Sequence, residues 1–183
     1  SLILLIGNIV FAQFVGKDGV SKALFYLQKS ELDSAKKYID EASVDSTINN
    51  EAKTWYYRGF IYKELYKTNE KDDKNSKYRL EAISSLRKLI EVDTDKEFTE
   101  SSSKMLNYLA STLYNDAARS LTPSDYQLAE QNYAKFRETM LLSNPNVELL
   151  PQDIKFKLAL ASMLNQNALQ SNQLDSSKIE QIK

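Results

Sequence analysis

One spacing of small residues recurs three times in this chain. Ala23 is followed twelve residues later by Ala35, and Ala117 twelve later by Ala129. Gly59 and Ala82 stand twenty-three apart, and the eleven-residue polar insert 67–77 (KTNEKDDKNSK) accounts for the difference. Apolar side chains follow each second small residue at plus four and plus seven: Ile39 and Ala42, Leu86 and Leu89, Tyr133 and Phe136. Small residues at fixed offsets on paired helical patterns mark places where two helices approach closely. Recurrence of the whole unit predicts a repeat array. An array predicts a scaffold, without naming what it holds.

Composition narrows the rest. Four Gly and three Pro in 183 residues leave little punctuation for turns, which disfavours an all-β design and suits long helices. Lys and Arg number 24 against 25 Asp and Glu, and a net charge of −1 gives no electrostatic case for nucleic acid. Cys and His are absent from the sequence, so disulfide, thiolate and imidazole chemistry are excluded and zinc is disfavoured. No acidic calcium-loop pattern is present: Asp72-Asp73 lies among lysines. No cofactor is expected. Catalysis would rest on carboxylates, Lys, Tyr or Ser, and no nucleophile set supports it. Ser101 and Lys104 fit S-x-x-K, but without a companion motif, and Ser84 pairs only with Arg87. The chain is therefore read as a non-enzyme.

Residues 1–12 (SLILLIGNIVFA) carry no charge. The run is too short to span a bilayer, which takes about 20 residues. It fits the apolar part of a secretory signal, with Val10 and Ala12 at the −3 and −1 cleavage positions and Gln13 opening the mature protein. With no Met and no basic segment, Ser1 is expected to lie inside that signal. A buried first helix or strand is the competing reading. Export to the periplasm or cell envelope of a Gram-negative-like bacterium follows from the signal, with no membrane span left after its removal.

Helical periodicity predicts seven helices: 20–28, 34–43, 51–66, 78–92, 99–121, 126–142 and 152–170. Their inward stripes are read as Ala23, Leu24 and Leu27; Ala35, Ile39 and Ala42; Trp55, Gly59 and Tyr62; Ala82, Ile83, Leu86, Leu89 and Ile90; Met105, Leu109, Leu113 and Ala117. The last helix is read as amphipathic through Ile154, Leu158, Ala161 and Leu164. The insert holds no apolar residue and is expected to be a solvated loop. The polar tail from Ser171 is read as the start of an eighth helix.

These residues resemble the tetratricopeptide repeat (TPR) family, a helix-turn-helix unit. Trp55, Gly59 and Tyr62 match its first helix, and Ala82, Leu86 and Leu89 its second. Ala23, Tyr26, Ala35, Ile39 and Ala42 match in an earlier unit; Ala117, Asp125-Tyr126, Ala129, Tyr133 and Phe136 match in a later one. Arg58 departs from the family at a position where Leu is usual, and Thr94 stands at the usual Pro. The resemblance implies an all-α fold of helical hairpins stacked into a right-handed superhelix. Repeats would span about 16–49, 52–96 with the insert 67–77, and 110–145, with part of a fourth at 147–183.

It also implies a concave groove lined by the first helix of each pair. By register the groove would offer Lys53, Tyr56, Phe60 and Lys63, with Val20, Leu24 and Leu27 from the earlier unit and Tyr114, Ala118 and Leu121 from the later one. The competing reading packs Tyr56 and Phe60 against the neighbouring repeat. The function expected is a protein–protein interaction scaffold for a protein or peptide segment. A glycan-binding protein on a TPR-like frame is the alternative, since eleven Tyr and one Trp supply rings that stack on sugars. Homo-oligomerisation through exposed repeat ends is compatible with the first.

Overall fold

The stripes and the scarce Gly and Pro produce an all-helical chain. The computed structural model describes residues 18–180 except 149, with side chains to 171. The expected signal remnant, 1–12, lies outside the described residues. The helices are α1 (Gly19–Gln28), α2 (Leu32–Val44), α3 (Ala52–Leu65), α4 (Lys77–Val92), α5 (Thr99–Arg119), α6 (Tyr126–Ser143) and α7 (Pro151–Glu180). None among the described residues is long and apolar enough to cross a membrane. The chain divides into two compact units, one up to Leu109 and one from Ala110, with the border inside α5.

In the first unit, α1 and α2 close on Val20, Ala23, Ala35, Ile39 and Ala42, with Ile61 and Leu65 added from α3. Local chemistry sets the ends. Asp18 caps α1 by accepting the Ser21 N–H at 2.8 Å. Ser30 takes a left-handed conformation (φ 60°) to stop α1, and the Glu31 N–H returns to the Tyr26 carbonyl at 2.9 Å. Small residues permit the close approach. A Cβ at Gly19 would lie 2.9 Å from the Tyr38 carbonyl oxygen, and one at Gly59 would lie 2.8 Å from Leu86 Cδ2. Ala35 in α2, Ala82 in α4 and Ala129 in α6 are all wholly buried, each within the first two turns of its helix.

The insert differs from its expected form. A π-helical turn, Tyr66–Glu70, prolongs α3 into it. Glu70 Oε2 then accepts the Ser76 hydroxyl at 2.7 Å and the Tyr78 N–H at 3.0 Å, and Ser76 caps α4 through the Arg79 N–H at 3.0 Å. Arg79 is 1% exposed. Its Nη2 donates to the Lys74 carbonyl at 2.8 Å, and its guanidinium lies 5.1 Å from the Tyr66 ring centre. Hydrogen bonds between its ends, not apolar side chains, order this segment.

Three further expectations are corrected. The tail from Ser171 continues α7 without a break and begins no separate helix. Ile90 is exposed; the buried stripe of α4 runs through Arg79, Ala82, Ile83, Ser85, Leu86 and Leu89. Ile154, Leu158, Ala161 and Leu164 are exposed, and α7 buries Asp153 and Phe156 instead. Periodicity finds an apolar stripe; it does not say which face meets a neighbour.

Candidate functional site

Lys53, Tyr56, Phe60 and Lys63 share one face of α3, as their helical spacing requires. Lys53 is exposed and the other three are half-buried. The Tyr56 ring stacks on Phe98, with centroids 4.4 Å apart and planes inclined by 25°. Lys63 Nζ sits 4.2 Å over the Phe60 ring and bonds Glu64 at 2.7 Å. Burial alone would raise the Glu64 carboxyl, but hydrogen bonds from Lys63 and Lys67 outweigh it and hold its pKa below the ordinary value. The face leads to a pocket of about 190 Å³ lined by Lys63, Lys67, Lys104, Met105 and Tyr108. Lys104 is held by Glu100 at 2.6 Å.

The other groove candidates have different surroundings. Val20 is buried in the first core, and Leu24 and Leu27 pack half-buried against that core. In the second unit Tyr114 packs on Phe136, centroids 5.3 Å apart, and on Tyr133. Ala118 is exposed, and Leu121 is half-buried in the turn after α5.

The larger opening lies between α6 and α7. Tyr133 and Arg137, four residues apart, lie on one face of α6. Pro151 opens α7, where its missing N–H costs nothing. Asp153 then occupies the third helical position, and its Oδ2 reaches back to the Leu150 N–H at 2.8 Å. Its Oδ1 accepts the Tyr133 hydroxyl at 2.5 Å, and Arg137 donates to Oδ2. Arg137 also donates to the Glu148 carbonyl at 2.7 Å. One turn on, Phe156 stacks on Tyr133 at 4.0 Å with planes 6° apart. This aromatic floor and Leu160 bound a cleft of about 490 Å³, with Glu130 and Lys157 at its rim. Burial is the largest influence on Asp153 and raises its carboxyl; the hydrogen bonds from Tyr133 and Leu150 and the Arg137 charge prevail, and its pKa stands below the ordinary value. Burial, then the bond to Asp153, raises the Tyr133 phenol well above its ordinary value.

The first unit contains the same chemistry in closed form. Asp40 of α2 accepts Arg58 Nε at 3.0 Å and the Tyr62 hydroxyl at 2.8 Å, again from residues four apart. The remaining Arg58 nitrogens reach Ser85 at 2.7 Å and Glu81 at 2.9 Å, both on α4. Arg58 thereby ties three helices together. Its side chain is 14% exposed, whereas that of Arg137, facing the open cleft, is 33% exposed.

Comparison with protein-family models, with curated proteins and with solved structures yields no match to this chain. Sequence reasoning missed Arg137, Asp153 and Phe156. The available signal was the helix start itself, Pro151 followed by an acid two residues later.

Proposed function

We propose that this chain is a protein–protein interaction scaffold. Its helical hairpins stack in the TPR manner into a right-handed superhelix, and it holds a segment of a protein partner in the bacterial cell envelope. One observation carries the reading: the α6–α7 cleft has a stacked Tyr133–Phe156 floor locked by Asp153, and it lies open. A rigid aromatic floor with both charge signs at its rim suits an apolar side chain of a peptide with polar neighbours. Its volume is ordinary for such a site, within the roughly 300–1,000 Å³ of binding clefts. Tyr56 and Phe60 form a separate candidate strip on α3, within the first unit. The envelope location rests on the signal-like start of the sequence.

Peptides selected from a random library on the purified chain provide the test. Ala134 is exposed and lines the cleft, so Ala134→Trp fills it without touching the core. Calorimetry is expected to show binding weakened about tenfold or more by Ala134→Trp, the effect of losing one buried anchor. Changing Tyr56 and Phe60 both to Ala is expected to weaken those selected peptides that Ala134→Trp leaves unaffected. Peptides that bind all variants equally contradict this reading. Failure to select any peptide, with binding on a glycan array, favours the sugar-binding alternative.

A further inference from the structure

Between Lys157 and Asp175, α7 carries seventeen consecutive residues without a charge, in a chain that is 27% charged. Solvated helix faces normally carry charges. Yet Ile154, Leu158 and Leu169 are each more than half exposed, and Leu164 is 40% exposed. Ala161 and Ala168 complete the stripe and are exposed too. The face turned to α6 is a different one, marked by Asp153 and Phe156. From Ala161 to Ser171 only Met163 and Asn167 are even half-buried, so this stretch has little cover among the described residues. Exposed Leu and Ile with charge removed is the composition of an interface centre.

We infer that α7 pairs with α7 of a second copy of this chain, antiparallel, about a two-fold axis near Ala161. About this axis residues 151–171 of the two copies overlap, about 31 Å of helix and roughly three heptads of contact. The stripe is self-complementary. With the axis at Ala161, Leu158 of one copy lies opposite Leu164 of the other, and Ile154 lies opposite Ala168. A small residue at the crossing lets the helix axes approach. Across this axis Asp153, Lys155 and Lys157 of each copy face the uncharged stretch of the other, so no like charges come together along the seam. Asn165 and Asn167 each carry an amide oxygen that can accept from Lys157 and Lys155 of the other copy. The direction follows from the lysines. A parallel pair would set Lys155 and Lys157 against themselves, whereas an antiparallel pair sets them opposite the neutral Asn167 and Asn165.

Sedimentation velocity on the whole chain tests this, run to roughly 100 μM so that any tighter contact is populated. A reversible dimer is expected. Leu158→Glu combined with Leu164→Glu is expected to give monomer with an unchanged far-UV circular dichroism spectrum, since both side chains are exposed. The sequence has no cysteine, so Ala161→Cys is a clean second probe. It is expected to form a disulfide-linked dimer on mild oxidation, while Glu41→Cys on exposed α2 surface does not. A monomer at every concentration overturns the inference. So does a dimer that survives both glutamates, or equal cross-linking at positions 161 and 41.

Discussion

Asp153→Ala is expected to destabilise the second unit by about 3 kcal/mol, in the range for breaking a buried, hydrogen-bonded charge pair. Asp153 is buried and serves three donors: the Tyr133 hydroxyl, the Leu150 N–H and Arg137. Removing it strands a buried phenol and the N–H that opens α7. It also leaves Arg137 without its anion. Arg137 keeps a third of its side chain in water, which limits that part of the cost. Because the folded carboxyl titrates below its unfolded value of about 3.9, its contribution is complete above that pH. It is lost as pH falls through the lower folded value. Urea unfolding is therefore expected to separate wild type from Asp153→Ala fully at pH 7 and progressively less below about pH 4. A variant within 0.5 kcal/mol of wild type at pH 7, roughly the scatter for neutral surface changes, contradicts this role.

Arg79→Ala is expected to cost a similar amount, about 3 kcal/mol, and to open the insert. The side chain fills a buried site beneath residues 66–76. It bonds the Lys74 carbonyl and lies against the Tyr66 ring. Alanine leaves a cavity and a carbonyl that has lost its donor. The insert carries Lys67, Lys71, Lys74 and Lys77, so trypsin reports its opening directly. Cleavage at these lysines is expected to be slow in wild type and at least tenfold faster in Arg79→Ala, following the population of the open form. Equal rates would mean that the insert opens independently of Arg79.

The helices were legible because one-dimensional spacing carries them. Ala23, Ala35, Ala82, Ala117 and Ala129 are all wholly buried, as are Ile39, Leu109 and Leu113. Helix starts and stops follow short-range chemistry, such as the Asp18 cap and the turn at Thr122–Asp125. What was not legible depends on partners far apart in sequence. Most of the insert is exposed, as its polar residues led one to expect, but its order was not legible: Glu70, Ser76 and Arg79 fix it by bonding to one another. Arg58 read only as a departure from the pattern the sequence resembles, because its partners Asp40, Glu81 and Ser85 lie far from it along the chain. The α6–α7 cleft was missed for the same reason: Tyr133 read only as an apolar position of the repeat, and its tie to Asp153 spans twenty residues. On α7 the stripe of Ile154, Leu158 and Leu164 was found, but it faces outward.

Alanine-to-leucine substitution, followed by urea unfolding, tests most directly whether close approach at small residues builds this fold. Ala35, Ala82 and Ala129 are the contact positions; Ala118 and Ala159 are exposed alanines on helices of the same chain. Each buried substitution is expected to lower stability by about 1–3 kcal/mol, the cost of forcing extra methylenes into a packed core. Each exposed one is expected to stay within about 0.5 kcal/mol. Leucine tolerated at 35, 82 and 129 as well as at 118 and 159 would contradict the account.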